Sequence, residues 1–359
     1  MRVADLHCDT LLELQGGASL EENKEGHVDL PRLERGGVGL QVFVAFVSTT
    51  FPVGRAFREA MELLDLLDDA CARFPAHLGK CVRAADIERA AGEGKIAALP
   101  ALENGHAIES DLKKLETLAG RGIRYMTLTH SRHLPWAASS GDAGDGPGGL
   151  TSFGREVVAA LRALGIVVDV SHVHEKTFWD VVRKARKPVI ASHSCAMKLC
   201  PSSRNLTDDQ MKAIADTGGL IGINFYPAFL DPRYFARRGA TIETLFRYYD
   251  EAERTHLDDP VTRLKVNREL TRKWRKQIGP VETDLDTVCD HIEYVRAVAG
   301  EDCVAFGSDF DGVTDLPRDL PDCSAFPALL QRLRERGTTE AQLRKLAWDN
   351  VLRVLRDAE

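Results

Sequence analysis

Eight short runs dominated by β-branched and apolar residues recur along this 359-residue chain, and they constrain the fold more than any other feature. They are VADLH (3–7), LQVFVAFV (40–47), IAALPALE (96–103), IRYMTLTH (123–130), IVVDVSH (166–172), PVIASH (188–193), LIGINF (220–225) and CVAFGSDF (303–310). Most are nearly continuous rather than alternating, the pattern of strands buried on both faces of a parallel sheet. Parallel strands need crossover connections. The segments between the runs supply them as amphipathic helices: GREVVAALRALG (154–165), EKTFWDVVRKAR (175–186) and TDDQMKAIADTGG (207–219), the last with Thr207 as N-cap and glycines at its end. Eight strands alternating with helices predict an α/β fold, a (β/α)8 barrel, with a doubly wound open sheet as the rival. Length alone would suggest two domains, but barrels of this kind reach such a size as one, so residues 1–359 are read as a single domain.

Two segments break the rhythm. Residues 139–149, SSGDAGDGPGG, form a loop that follows the fourth run and would lie over the barrel mouth, as a lid or as an inert insertion. Residues 232–282 are long, charged and helical and form an insertion between the seventh and eighth strands.

The net charge of −7 argues against a nucleic-acid surface. No apolar run is long enough to span a bilayer, and no basic stretch followed by an apolar segment opens the chain. Eight scattered cysteines without CxxC pairs read as free thiols. A cytoplasmic protein without membrane or nucleic-acid partners is expected.

The chemistry lies at the ends of the runs. His7 and Asp9 end the first, Glu103 the third, His130 the fourth, His172 the fifth, His193 the sixth and Asp309 the eighth. A barrel gathers these ends at one face, where its active sites form. On a strand, His7 and Asp9 share a side, while Cys8 between them points into packing. Imidazoles with carboxylates suit Zn, Mn, Fe or Co better than Mg or Ca. The set exceeds what one open catalytic ion needs, and a carboxylate can bridge two ions. Taken singly, each of these residues has an ordinary structural reading: Glu103 as an ion-pair partner, His172 as a core histidine with His174 as its competitor. His106 and His133 lie just past strand ends and read as supporting residues. Asp5 and Asp169 are expected to point away from the site.

The stretches DLHCDT, ALENGHAI, RYMTLTHSRHLPWA, GLTSFGREVV, VDVSHVHEKTF, PVIASHSCAMKLCPSSRNLTDD and GSDFDGV, in this order and spacing, resemble the membrane (renal) dipeptidase family of zinc metallopeptidases. That family belongs to the amidohydrolase-type barrels. The resemblance implies a soluble bacterial-type member that hydrolyses dipeptides, with tolerance of a D-residue at the C-terminal position. It implies two zinc ions per chain: His7 and Asp9 on the first, His172 and His193 on the second, Glu103 bridging both. It further implies that a hydroxide between the metals attacks the peptide bond, that Asp309 is the acid/base residue, that His130 contacts the substrate near the scissile carbonyl and that Arg204 contacts its carboxylate. A substrate-contacting tyrosine of the mammalian members is replaced, by spacing, with Phe229. A homodimer fits the family. The alternative is a deaminase, lactonase or phosphotriesterase on the same barrel, and behind it a metal-free binding protein. The former usually carry His-x-His on the first strand and often bridge with a carboxylated lysine, whereas this chain has His-x-Asp and Glu103.

Overall fold

The computed structural model describes residues 1–239 and 241–359. Nine strands run parallel: β1 (Val3–Cys8), β2 (Val38–Phe46), β3 (Leu78–Lys80), β4 (Ile96–Glu103), β5 (Tyr125–Thr127), β6 (Val167–Asp169), β7 (Val189–Ser194), β8 (Leu220–Ile223) and β9 (Val304–Phe306). Their order is β2-β1-β9-β8-β7-β6-β5-β4, and pairing from Leu40↔Ala97 to Phe46↔Glu103 closes the ring between β2 and β4. The result is an eight-stranded parallel barrel flanked by helices. The ninth strand, β3, pairs only with the beginning of β4. All eight expected runs are barrel strands. β3 was not expected, because its residues, Leu-Gly-Lys, offer no apolar run.

Closure follows from the pleat. On β4, Ala97, Leu99 and Ala101 fall in one buried cluster and Ile96, Ala98 and Leu102 in the other. The first cluster also holds Leu40, Val42 and Val44 of β2, and Val351, Leu352 and Leu355 of the C-terminal helix Asn350–Ala358. The second packs beneath the surrounding helices. The two-residue period therefore carries β4 from Ala101 to Glu103 on the interior face, and β2 from Val44 to Phe46 beside it. Glycine is required where strands crowd: a Cβ on Gly307 would lie 1.8 Å from the Ser192 carbonyl oxygen.

Thr207 caps the helix Asp208–Asp216 as expected, in a reciprocal box with Gln210. The 232–282 segment folds as helices Pro232–Gly239, Ile242–Thr255 and Pro260–Ile278. It is tied to the segments that follow β1 and β2, to the helices Thr10–Gln15 and Arg55–Arg73 and to the loop between β2 and the latter. Arg263 donates to Gln15 and to Glu59, each at 2.8 Å, and Glu253 accepts from Thr50 at 2.8 Å. Arg132, just beyond β5, pairs with Asp250 at 2.8 Å. No helix among the described residues is long and apolar enough to cross a membrane.

The strands β5, β6 and β9 are shorter than their apolar runs. Each ladder ends three residues before the functional residue: Thr127 before His130, Asp169 before His172, Phe306 before Asp309. His172 and Asp309 take left-handed φ values of 66° and 64°, which no strand accommodates. These three side chains stand on the turns above the barrel rather than on the strands.

Candidate metal and catalytic site

Glu103 is the centre of the site. One carboxylate oxygen, Oε2, lies 3.5 Å from His7 Nε2. The other, Oε1, lies 3.0 Å from His172 Nε2 and 3.5 Å from His193 Nε2. Asp9 Oδ2 stands 3.6 Å from His7 Nε2, and Asp309 Oδ1 3.9 Å from it. The Nε2 atoms of His172 and His193 approach to 2.8 Å. Glu103, His7, His193 and Asp9 are all at least 95% buried. Two imidazole nitrogens and a buried carboxylate oxygen converge, and Glu103 Oε1 has no hydrogen-bond partner among the described residues. An unpaired buried acceptor is costly unless something positive completes it. The donor set, imidazole and carboxylate without thiolate, fits a divalent transition metal. Three overlapping triads meet the requirement for close ligand atoms: His7–Glu103–His193, Glu103–His130–His172 and His7–Asp9–Asp309.

The carboxylates at β1 and β9 are hemmed in by the residue after β8 and the turn after β9. Asn224, one residue past β8, donates to Asp309 Oδ2 at 2.8 Å. Asp311 accepts from Thr10 and from the His27 backbone. A Cβ on Gly312 would lie 2.1 Å from Asp9 Oδ2 and 2.5 Å from Asp309 Oδ1. Only glycine lets the backbone pass this close to both.

His130 and Arg204 lie on the other side of the centre. The His130 ring packs on His172 at a centroid distance of 4.3 Å and edge-on to Phe46 at 4.6 Å. Arg204 donates Nη2 to the His193 carbonyl at 3.1 Å, and its guanidinium lies 5.3 Å above the Phe229 ring. Its Nε is buried without a partner among the described residues. Phe229 is buried on the short helix Pro227–Leu230. Asn205 stitches these loops, accepting from Cys195 N and donating to the carbonyls of Cys200 and Phe229 at 2.8 Å each. His291 does the same from below, accepting from Ala196 N at 3.1 Å and donating to Leu230 O at 3.0 Å.

Burial and neighbouring charge divide the titrating groups. Burial lowers the His7 pKa, but Glu103 and Asp9 overcome it and carry the group well above its usual value. Burial, with Arg204 beside them, pushes His172 and His193 well down. His130 falls to about 3, through burial and then the charges of Arg204 and His7. Its ring is therefore neutral, with one N–H to give. Burial raises Asp309 to about 6 against the pull of His7, with Asp9 adding to the rise. A carboxyl near neutrality suits proton transfer in both directions.

Other expected positions resolve as follows. Cys8 points away into packing, its thiol on the Val42 carbonyl. His174 caps the helix Glu175–Val182 and faces away from the centre. His106 binds the Phe51 carbonyl, and His133 the Gly144 carbonyl. Asp5 and Asp169, expected to point away, are instead anchors beneath the site. Asp5 accepts from Ser308 N at 2.8 Å, and Asp169 from Ser192 N at 2.9 Å and Thr127 Oγ1 at 2.5 Å. Asn224, Tyr125 and Ser192 are additional residues at the site. Each is polar where a barrel strand or its end is otherwise apolar, and that was the available signal.

The family model of the membrane dipeptidases, peptidase family M19, matches residues 1–359. Among solved structures, the dipeptidase AC, a metallopeptidase of family M19, is 27% identical with a TM-score of 0.81, covering 100% of this chain and 98% of its own. A metallopeptidase from Rhodobacter sphaeroides, liganded with a phosphinate mimic of the dipeptide L-Ala-D-Ala, is 26% identical at a TM-score of 0.81, over 100% and 99% of the two chains. The probable dipeptidase PvdM from Pseudomonas aeruginosa is 25% identical at 0.81, over 99% and 94%.

Proposed function

Because the chain belongs to the membrane dipeptidase family, we propose that its barrel mouth binds two zinc ions and cleaves dipeptides, L,D-dipeptides among them. His7 and Asp9 would hold one ion and His172 and His193 the other, with Glu103 available to both. The observation that carries this reading is the orientation of Glu103, one oxygen toward His7 and the other toward the His172–His193 pair. Bound there, two divalent ions acidify water toward neutrality and polarise the scissile carbonyl.

The chain's own residues supply the rest. Asp309, held by Asn224, takes a proton from the attacking water and passes it to the leaving amine. Neutral His130 donates its N–H to the oxygen that gains charge as the carbonyl becomes tetrahedral. Arg204 offers its unpaired Nε edge to the substrate's terminal carboxylate. Phe229 packs beneath that guanidinium and brings no hydroxyl of its own. A site that grips a terminus beside the scissile bond selects dipeptides over longer chains. The phosphinate mimic of L-Ala-D-Ala bound by the Rhodobacter sphaeroides relative is accordingly a probe to use on this chain.

Residues 1–359 act as one domain, with helices 232–282 closing over the segments that follow β1 and β2. All eight cysteines are free and seven are buried, which supports a reducing, cytoplasmic setting. A homodimer belongs to the same proposal, and sedimentation velocity checks it. The decisive test is a screen of L,L- and L,D-dipeptides with zinc-loaded protein, run beside Asp309→Asn. Cleavage that falls by roughly 10²–10⁴-fold in the variant, at unchanged metal content near two ions per chain, is expected. A fully metallated wild type that cleaves no dipeptide overturns the reading.

A further inference from the structure

The two strand-borne histidines are held through their second ring nitrogens, and the hydrogen-bond directions there can be counted. His7 Nδ1 lies 2.8 Å from the Tyr125 hydroxyl. That hydroxyl has one proton, and the Leu6 carbonyl, which can only accept, lies 2.9 Å away. The proton belongs to Leu6, so the Tyr125 oxygen must accept, and His7 Nδ1 must carry the N–H. His193 repeats the logic. Its Nδ1 lies 2.7 Å from Ser192 Oγ, and Ser192 Oγ lies 2.6 Å from Asp169 Oδ2. Asp169 is fully buried and accepts from Ser171 N, Ser192 N and Thr127 Oγ1 as well. Surrounded by donors, it keeps the serine proton, and Ser192 Oγ is left to accept from His193 Nδ1. In both residues Nδ1 carries an N–H, and Nε2 is the nitrogen that faces Glu103.

We propose that Tyr125 and the Asp169–Ser192 pair are positioning residues that fix His7 and His193 as Nδ1–H tautomers and aim their Nε2 lone pairs at the metal centre. Among the described residues His172 has no such device. Its backbone is held instead, its carbonyl accepting from Ser140 N at 2.8 Å and from Thr129 Oγ1 at 3.2 Å. The inference deepens the metal reading above and rests on it for the identity of the ligands. The hydrogen-bond count does not.

The test uses the full chain as wild type, Tyr125→Phe and Ser192→Ala. Zinc affinity is read by competition with a chromogenic chelator, and the tautomer of His193 by imidazole ¹⁵N spectra of the chelated protein. Each variant is expected to stay folded, with its circular dichroism spectrum unchanged and its thermal midpoint lowered, and to bind zinc roughly 10–100-fold more weakly. The wild-type His193 is expected as the Nδ1–H form, giving way to a tautomer mixture in Ser192→Ala. A shape-preserving structural role would not move the tautomer. Zinc affinities within twofold of wild type in both variants, or an Nε2–H form of His193 in the wild type, overturn the proposal. A wild type that binds no zinc yet shows the Nδ1–H form strikes the proposed function instead. Asp169→Asn is kept as a secondary variant, since its buried carboxylate holds several strands together.

Discussion

The two sides of the site are built differently. His7, Glu103 and His193 stand on strands of a closed barrel: Glu103 where the pleat of β4 places it, His7 and His193 where β1 and β7 shift register, between Asp5 and Cys8 and between Ala191 and Ser194. Arg204 stands on a loop and Phe229 on the short helix Pro227–Leu230, and both keep their place through side-chain stitches, Asn205 from within and His291 from below. A metal centre demands fixed ligand geometry, and a sheet supplies it. A pocket for varied side chains is better placed on loops, which can be re-cut without disturbing the ladder.

The largest way to break the contrast is on the rigid side. Gly312→Ala would drive a methyl into Asp9 and Asp309. Misplacing reacting groups by about an ångström costs on the order of 100-fold, so kcat/KM should fall at least that far while the circular dichroism spectrum holds. An unchanged rate would show the turn to be compliant.

On the loop side, pH is the lever. Burial lowers His291 to about 4, below its unfolded value of about 6.5. A histidine kept neutral in the fold stabilises it fully above the unfolded pKa. That stability is lost as pH falls through 6.5 toward 4, by up to about 3 kcal/mol. Urea midpoints at pH 7.5 and 4.5 should differ accordingly, and His291→Gln should shrink the difference. Equal slopes in the variant would remove His291 from the account.

Arg204→Lys keeps charge but loses the planar fork, so KM should rise roughly 10-fold with kcat less affected. A loss confined to kcat would instead assign Arg204 to the chemical step. The smallest change is Phe229→Tyr, which sets a hydroxyl near Arg204 and should lower KM about threefold or less for substrates with a free carboxylate. No change would mean that the ring edge does not reach the ligand.

This division also decides what could be read from residues alone. Every barrel strand was visible, because a strand buried on both faces must be apolar throughout. Glu103, His7 and His193 were visible as polar interruptions at the ends of such runs. The strand lengths were not, since the apolar run carries on through Leu128 and Val170 after the ladder has stopped. Asp5 and Asp169 were misplaced for a related reason. Strand alternation says nothing of the neighbouring strand's hydroxyls, and it is Ser308 and Ser192 that hold these carboxylates in place. Arg204, Phe229 and the acid/base role of Asp309 came from family resemblance. Their surroundings bring together segments 24 to 95 residues apart, which no local pattern encodes.

The loop after β5 has both feet clamped. Ser140 N donates to the His172 carbonyl, a bridge joins Ala137 to Leu150, and Leu150 N donates to Asp180 at 2.9 Å. Between those feet, the hydrogen bonds of Asp142 and Gly144 run to His133 and to each other. The length of this glycine- and aspartate-rich stretch is a free dial for natural variation or for engineering. Residues can be added or removed there to widen or narrow the approach to the barrel mouth, while the histidine at its foot stays where it is.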